Sequence, residues 1–432
     1  MQRKLLATLL LLATGGAGGA QAPAPAAGWP QWGGPNRDFK AASGGLASAW
    51  PSGGPREVWS RSLGDGYSSI AESGGTLYTM YRPAKGVVMT LVDKLRGLSS
   101  PEVVIAIEAA SGKTVWEHAY DAPEVGRPNM EYGPGPHATP LVWDHLVYAV
   151  GVTGRLHALD RASGRVVWSQ DLYKGLAGTV QDRGYSCSPI AYGETVILTV
   201  GGKGQAVAAF DRRTGRVAWK AHDFDPGFSS PLLINVDGQD QLVVFHTDGI
   251  AGVDPRGGPL FWNHPHATQY GLNISTPVWG EGNLLFFSSA YTGGSRMLRL
   301  AQAGGRTTVS ELWFTPKMRV HMGTIIRVGD RAYASSGDFG PAFVTAVDLR
   351  TGEVAWQERG FSRANFVYAD GKLILLDEDG TLALASASPT GLQVHAKAEV
   401  LTNRAWTVPT LVGTRLYLRD RATIKALELG RS

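Results

Sequence analysis

The stretch Ala158–Trp168 reads ALDRASGRVVW, and it decides the fold because it returns along the chain. Its middle, from Asp160 to Gly164, predicts a turn, since Asp accepts hydrogen bonds from nearby backbone N–H groups and Gly adopts a positive φ freely. Apolar flanks predict strands over Leu156–Leu159 and Val166–Trp168. Close copies are AFDRRTGRVAW at Ala209–Trp219 and AVDLRTGEVAW at Ala346–Trp356, and weaker copies are AIEAASGKTVW at Ala106–Trp116 and GVDPRGGPLFW at Gly252–Trp262.

Tryptophans mark the end of each repeat unit. Their successive spacings are 57, 52, 51, 43, 51 and 43 residues, which matches the roughly 40–50 residues of a four-stranded propeller blade. A large side chain at the end of the outer strand would fill the wide gap between neighbouring blades, so we interpret these residues as structural. They are Trp59, Trp116, Trp168, Trp219, Trp262, Trp313 and Trp356.

The two ends of the repeat array predict how the ring closes. The last unit supplies only three strands, whereas Arg56–Ser62 has the pattern of a final strand without the strands before it. Pairing the two would complete a blade and remove an open edge. We therefore predict an all-β fold, an eight-bladed β-propeller of four-stranded antiparallel blades over residues 55–429. Seven blades stay an alternative, because the seventh unit lacks its tryptophan near Gln393–Lys397.

Residues 1–22 predict a signal peptide. A basic pair precedes the apolar run Leu5–Ala13, and Ala20-Gln21-Ala22 is a cleavage signal. We expect no transmembrane helix, since no run reaches about 18 apolar residues. There is no Cys near the cleavage site, so we expect no lipoprotein anchor. The expected location is therefore periplasmic or secreted.

Two segments stand outside the repeats. Residues 23–54 are rich in Pro, Gly and Ala and predict a loosely packed N-terminal arm. Its stretch Trp29–Arg37, which reads WPQWGGPNR, is too aromatic for a linker, so we expect it to lie on the body of the fold. Residues 81–103 lengthen the first unit, and there Met89–Leu98 has the pattern of a short amphipathic helix. We interpret this segment as an insertion on one rim.

Composition excludes several classes of function. The chain has 432 residues, and its 56 Gly and 24 Pro are spread along it, which favours many short strands and turns. The formal net charge is only +4, and the sequence contains no basic run of the kind that binds nucleic acid, so we expect no nucleic-acid partner. Cys187 is the single Cys, so an internal disulfide is excluded and a buried position is expected. His264 and His266 lack an evident third ligand, so we predict no metal site.

Repeats of the form A-x-D-x-x-[ST]-G-x-[VL]-x-W resemble the PQQ-like, quinoprotein-type β-propeller superfamily. The resemblance covers residues 29–429 and points to the exported bacterial PQQ-binding-like or BamB-like group. WD40 repeats are less similar, because the one Trp-Asp dipeptide, Trp143-Asp144, lies at a turn between first and second strands. The resemblance is also carried by WPQWGGPNRD at 29–38, GPGPHATP at 133–140, NISTP at 273–277 and YADGKLILLDEDGTLAL at 368–384.

This resemblance implies two opposite functions. Quinoprotein alcohol dehydrogenases hold PQQ over the central channel with an adjacent Cys-Cys disulfide, a Trp, a Ca²⁺ ion bound by Glu and Asn, and an Asp base. This chain cannot form the Cys-Cys ring, and none of its Asp or Glu residues lies in a stretch matching that metal or base motif. Non-catalytic members keep the blades and lose the site. We therefore expect no cofactor, with PQQ and Ca²⁺ as the alternative.

A ligand site should lie at the mouth of the channel, because the loops before the first strands of the blades converge there. The candidate residues in these loops carry imidazole, guanidinium, amide and aromatic groups, which together would suit an anionic or planar ligand. The alternative is that these are ordinary rim residues bonded to backbone or water. The candidates are Tyr67, His137, Tyr185, Phe228, Asn273, His321, Arg363 and Trp406.

The function predicted from the sequence is that of an exported, non-catalytic β-propeller. It would act as a monomeric binding or scaffolding module for envelope proteins or a small ligand, with no catalytic residues. The alternative is a PQQ-dependent, quinoprotein-type oxidoreductase for alcohols or sugars.

Overall fold

The computed structural model describes residues 28–83, 101–123, 125, 129, 133–338 and 341–430. The predicted signal peptide and the predicted helix Met89–Leu98 lie outside the described residues. Within the described ranges, 32 β-strands form eight four-stranded antiparallel sheets, with no helix among them. The prediction of an eight-bladed, all-β propeller is confirmed, and the seven-bladed alternative is wrong.

The blades follow one another along the chain, and the first strand of each lies nearest the channel. The strand before the first full blade is β1 (Arg56–Ser62). The first blade contains β2 (Ala71–Ser73), β3 (Thr76–Tyr81), β4 (Pro101–Glu108) and β5 (Thr114–Asp121), and the second contains β6 (Leu141–Trp143), β7 (Leu146–Val150), β8 (Arg155–Asp160) and β9 (Val166–Asp171). The third blade contains β10 (Ile190–Tyr192), β11 (Thr195–Thr199), β12 (Val207–Asp211) and β13 (Val217–Ala221), and the fourth contains β14 (Leu232–Val236), β15 (Gln239–His246), β16 (Gly249–Val253) and β17 (Leu260–Pro265).

The remaining four blades complete the ring. The fifth blade contains β18 (Val278–Gly280), β19 (Leu284–Ser289), β20 (Gly294–Ala303) and β21 (Arg306–Thr315), and the sixth contains β22 (Ile325–Val328), β23 (Arg331–Ser336), β24 (Phe343–Asp348) and β25 (Val354–Glu358). The seventh blade contains β26 (Ala364–Ala369), β27 (Lys372–Asp377), β28 (Thr381–Ser388) and β29 (Gly391–Glu399), and the eighth contains β30 (Thr410–Val412), β31 (Arg415–Arg419) and β32 (Thr423–Glu428). Strand β1 is the outer strand of the last blade, in the order β1-β32-β31-β30. It pairs antiparallel with β32, so the predicted closure is confirmed.

The stretch Ala158–Trp168 lies in the hairpin β8–β9. Both strands are slightly longer than predicted. Asp160 holds the turn, because its Oδ1 accepts hydrogen bonds from the backbone N–H and the hydroxyl of Ser163, at 2.9 and 2.6 Å. Ala158 lies opposite Trp168, and a bulge follows at once. Trp168 thus lies on the outer strand β9 beside the bulge, and it is only 8% exposed.

The tryptophan of one blade covers the turn glycine of the next. Trp116 Nε1 donates to the carbonyl of Arg161 at 2.9 Å, and a Cβ added at Gly164 would lie 2.5 Å from the Trp116 ring. The repeat therefore needs Gly here for two reasons: the backbone has a φ of +70°, and the neighbouring indole leaves no room. The same contact is made by Trp59 on Gly112, Trp168 on Gly215, Trp219 on Gly258 and Trp313 on Gly352.

Three blades depart from this pattern, the fourth, the sixth and the seventh. Trp356 of the sixth donates to the carbonyl of Ser388 at 2.9 Å, at a turn whose glycine, Gly391, does not touch the indole. Trp262 Nε1 donates to Gln241 Oε1 of its own blade at 2.7 Å, and Gln241 in turn donates to Thr307 Oγ1 of the next blade at 2.7 Å. In the seventh blade Ala396 lies opposite Leu384, where the other blades have tryptophan. The missing tryptophan in this unit is therefore a local substitution and not a missing blade.

Candidate functional site

The N-terminal arm runs through the central channel. Trp29 pairs through its backbone with Glu72 on the inner strand of the first blade. Trp32 Nε1 donates to Thr276 Oγ1, just before the inner strand of the fifth blade, at 2.9 Å. The first and fifth blades lie on opposite sides of an eight-membered ring, so the arm spans the channel.

Residues 28–41 of the arm are buried or half-buried except for Asn36, whereas most of residues 42–53 are exposed. Trp29, Phe39 and Leu46 are each at most 2% exposed. The predicted loose packing is therefore wrong for residues 28–41, and the expectation that Trp29–Arg37 lies on the body of the fold is confirmed. The aromatic and apolar residues of this stretch are buried because they fill the channel between the inner strands.

Arg37 anchors the arm to the third blade. Its guanidinium donates to the carbonyl oxygens of Pro189 and Ser188, at 2.9 and 3.3 Å, and to Gln31 Oε1 at 3.2 Å. Burial lowers the pKa of Arg37 to about 9. A buried cation with several carbonyl partners is a strong attachment, because removing one partner leaves the others unpaired in a dry setting.

Above the arm, the mouth of the channel holds a cavity of about 150 Å³. Trp32 and Phe39 of the arm contribute to its lining, and their rings meet edge to face with centroids 5.2 Å apart. Most of the other lining residues come from the loops before the inner strands of seven blades. They are Tyr67, Ser69, His137, Arg183, Ser186, Ser188, Phe228, Ser230, Leu272, Ile274, Ser275, Thr276, His321, Met322, Gly323, Trp406 and Val408.

Three aromatic rings form one wall of this cavity. Tyr67 stacks on His137 with centroids 6.0 Å apart and lies 5.2 Å from Trp406. His137 Nε2 donates to the carbonyl of Arg183 at 3.1 Å. Burial lowers the pKa of His137 to about 4 and raises the pKa of Tyr67 to about 12. Both side chains are therefore neutral near pH 7.

His321 is the second neutral imidazole. Arg363 Nη1 lies 3.3 Å from His321 Nδ1, and the hydroxyl of Tyr291 lies 3.0 Å from Nε2. Since Arg363 can only donate, Nδ1 accepts and Nε2 carries the proton. Burial, followed by the charges of Arg363 and Arg183, lowers the pKa of His321 to about 4.

A buried carboxylate organises the rim beside His321. Glu378 pairs with Arg363 and with Arg404, each at 3.2 Å. Trp406 Nε1 donates to the same carboxylate at 2.6 Å. Glu378 therefore positions the two guanidiniums and the indole relative to one another. Sequence reasoning missed Glu378 and Arg404, because their partners come from the seventh and eighth units.

Two of the predicted site residues reach neither the cavity nor the cleft beside it. The Tyr185 hydroxyl donates to the carbonyl of Thr199 at 2.8 Å, and the Asn273 amide donates to the carbonyl of His246 at 2.7 Å. Both side chains are at most 1% exposed. They hold loops together and do not line the mouth, which corrects the placement predicted for them.

Tyr185 and Asn273 are each one residue away from a position whose side chain faces the cavity. Each unit opens with a pair of residues, such as Thr139-Pro140. The side chain that faces the cavity belongs to the residue two positions before this pair, which here is His137. Tyr185 and Asn273 lie one position earlier, and successive side chains of an extended backbone point to opposite sides. Counting from the opening pair would have found every member. These residues are Tyr67, His137, Ser186, Phe228, Ile274, His321 and Trp406 in the cavity and Arg363 in an adjoining cleft.

Cys187 is buried, as predicted. Its Sγ donates to the carbonyl of Ser229 at 3.1 Å. Burial raises the pKa of this thiol to about 12, so it is not a thiolate near neutral pH.

The donor groups do not fit the PQQ and Ca²⁺ site that the resemblance implies. An engineered cavity of about 150 Å³ holds benzene, whereas PQQ has three fused rings and three carboxylates. The amide of Asn273 is bonded to backbone, and the carboxylate of Glu378 is paired with two arginines. Among the described residues, no cluster of three or more His, Cys, Asp or Glu could bind a metal ion.

The closed ring of four-stranded sheets, with a tryptophan-to-glycine contact between blades and a cavity on its axis, defines a quinoprotein-type β-propeller. The chain belongs to the family described as "Outer membrane protein assembly factor BamB", whose family model matches residues 100–358. The predicted resemblance is confirmed. In the part of the chain that the structure describes, no helix is long and apolar enough to cross a membrane.

Named relatives are of two kinds. The outer membrane protein assembly factor BamB of Yersinia pestis is 22% identical over 305 residues, 66% of this chain and 72% of the relative. The dehydrogenase subunit of a quinone alcohol dehydrogenase of Acetobacter aceti is 25% identical over 259 residues, 54% of this chain and 34% of the relative. The chain thus spans about a third of that dehydrogenase subunit.

Solved structures show the same fold. BamB from Moraxella catarrhalis has a TM-score of 0.58 at 18% identity, covering 87% of this chain and 99% of that one. The quinohemoprotein alcohol dehydrogenase from Comamonas testosteroni has a TM-score of 0.65 at 14% identity, covering 94% and 81%. One propeller scaffold therefore serves both kinds of protein, and the function has to be argued from the site.

Proposed function

We propose that the protein is a non-catalytic β-propeller of the cell envelope that binds other proteins through the mouth of its channel. The observation that carries this proposal is the arm inside the channel. With Trp32 and Phe39 in the lining, about 150 Å³ remains at the mouth, which is the space of one ring and not of a multi-ring cofactor.

The chemistry of the lining supports the same proposal. A general base works best when its pKa lies near the operating pH, whereas the pKa values of His137 and His321 are both lowered to about 4. No Asp or Glu is among the described residues that line the cavity. Aromatic rings, serines and two neutral imidazoles make a recognition surface and lack an activated group.

The relatives support the envelope setting. The proteins from Yersinia pestis and Alkalilimnicola ehrlichii carry the name of outer membrane protein assembly factors. A signal peptide over residues 1–22 would deliver this chain to the same compartment. We therefore propose a periplasmic or secreted location and envelope proteins as partners.

The test is to supply the cofactor of the alternative function. Purified protein is incubated with PQQ and CaCl₂, and dye reduction by a panel of alcohols and sugars is followed together with the thermal unfolding temperature. We expect no turnover and no shift in the unfolding temperature. His137→Ala serves as the site variant and Arg216→Ala, on an exposed turn, as its control.

The alternative is a quinoprotein-type oxidoreductase, which the sequence match to the Acetobacter aceti subunit favours. Dye reduction that needs PQQ, that survives in Arg216→Ala and that is lost in His137→Ala would replace the scaffold proposal with this one.

A further inference from the structure

We infer that the channel mouth captures one aromatic side chain of a partner protein together with a carboxylate beside it on the partner's chain. This inference rests on the proposed function and names the chemistry that the partner must present.

The main cavity has the size and the walls for one ring. Its volume is about 150 Å³, and Trp32 and Phe39 line it from the arm. Tyr67 and Trp406 form a wall with centroids 5.2 Å apart. Aromatic rings favour edge-to-face and offset-stacked neighbours, so an entering phenyl or phenol ring finds partners both from the arm and from the blades.

A small cleft opens beside the cavity and shares His321 and Trp406 with it. The cleft measures about 10 Å³ and is also lined by Arg363, Ser335 and Asn365. A space of this size holds about one water-sized group, so it would take one oxygen atom of a carboxylate whose other atoms lie in the main cavity. The hydroxyl of Ser335 is 5% exposed and has no hydrogen-bond partner among the described residues, so it can donate to a group that enters the cleft.

The charges around the cleft favour an anion as that group. Arg363 is the charged residue of its lining, and no Asp or Glu is among the described lining residues of the cavity or the cleft. Glu378 pairs with Nε and Nη2 of Arg363 and also with Arg404. Nη1 of Arg363 instead points to His321. Arg404 has a second partner, the exposed Asp379, at 3.2 Å.

The electrostatic effect on His321 agrees with this reading. Besides burial, the positive charges of Arg363 and Arg183 lower the pKa of that imidazole. The field that disfavours a proton on His321 favours a carboxylate nearby. Ring and carboxylate must lie close together on the ligand, because the cavity and the cleft share residues.

The rim favours a protein as the source of this group. Protein-binding hot spots are enriched in Trp, Tyr and Arg around a central, desolvated pocket. Tyr67 and Trp406 line this cavity, Arg363 lines the adjoining cleft, and the Arg404 guanidinium lies 5.6 Å from the Trp406 ring. Each of the four is at least partly exposed.

The probe is a blocked tetrapeptide with Phe followed by Asp, titrated into the full protein by calorimetry. Two control peptides carry Ala in place of Phe, or Asn in place of Asp. We expect saturable binding that weakens by about tenfold or more without the ring and by about threefold or more without the charge. The second effect should shrink as salt is added.

A filled cavity supplies the matched variant. Ser186 lines the cavity and is half-buried, so Ser186→Phe should fill the space and abolish peptide binding. Ser310→Phe makes the same change on an exposed outer strand and should bind like the wild type. If Ser186→Phe fails to fold by circular dichroism, Met322→Trp fills the same cavity from the sixth blade.

Three outcomes of the binding titrations overturn the inference. The wild type binds none of the peptides at millimolar concentration, or the filled variant binds as well as the wild type. In the third, free 3-phenylpropionate binds as tightly as the peptide, which would identify a small-molecule site. A pull-down from an envelope extract separates this inference from the scaffold proposal. If the filled variant, Ser186→Phe, still captures the same envelope protein as the wild type, the inference fails and the scaffold proposal stands. If neither captures one, the scaffold proposal fails as well.

Discussion

The contact between Trp168 and Gly215 makes the role of the repeat measurable. Gly215 has a φ of +71°, and a Cβ there would lie 2.6 Å from the Trp168 ring. Gly371 has a φ of +72° with nothing within 4 Å of such a Cβ. Gly371→Ala should therefore lower the free energy of unfolding by about 1–2 kcal/mol, from the backbone conformation alone. Gly215→Ala should add an overpacking cost of about 1–3 kcal/mol.

Removing the indole separates the two costs. Trp168→Ala alone should lower the free energy of unfolding by about 3–5 kcal/mol, because this side chain is only 8% exposed. In that background Gly215→Ala has no ring to strike, so its effect should fall to that of Gly371→Ala. The double-mutant cycle would then give a coupling of about 1–3 kcal/mol.

The assay is urea unfolding followed by far-ultraviolet circular dichroism, since tryptophan fluorescence would change with Trp168 itself. Additive effects of Trp168→Ala and Gly215→Ala would refute the contact between blades as the reason for the repeat. Equal losses in Gly215→Ala and Gly371→Ala, with Trp168 present, would refute it too.

Three further effects follow from other buried groups. Arg37→Ala should release the arm, making residues 28–47 sensitive to protease and lowering stability by about 2 kcal/mol, whereas the exposed Arg216→Ala should do neither. Burial lowers the pKa of His157 to about 3, so below pH 6.5 the unfolded chain binds a proton that the folded chain does not, and stability decreases as the pH is lowered. At pH 4.5, urea unfolding should show that His157→Phe is spared about 3 kcal/mol of this loss. The pKa values of His137 and His321 near 4 predict peptide affinity that is unchanged between pH 7.5 and 5.5, and a tenfold change over this range would contradict their neutral state.

The sequence predicted the blades well, because each unit repeats its own local signals. The Asp160 turn, the Gly164 position and the tryptophan spacing are short-range features, and closure by Arg56–Ser62 followed from an unmatched strand. The hairpin bounds differed by only one to three residues, since strand ends depend on tertiary pairing as well as on the local pattern.

The candidate site was harder to predict. His137 and His321 were found from the convergence of loops, but Tyr185 and Asn273 were one residue out of register, and no pairing pattern sets the register of an irregular loop. The sequence predicted that Trp29–Arg37 lies on the body of the fold, but it did not predict the path of the arm through the channel. Trp29–Arg37 has no periodicity that indicates a partner, and its contacts are with residues far away in sequence.

Binding of envelope proteins through the channel mouth is tested most directly by photo-crosslinking in living cells. Tyr270 is 55% exposed, and its ring lies 5.1 Å from Tyr291, which contacts His321 at the mouth. Val217 is 43% exposed on the outer strand β13. With a photoreactive phenylalanine at each position in turn, we expect crosslinked envelope proteins from position 270 and none from position 217. No product from 270, or the same products from both positions, would contradict protein binding at the mouth.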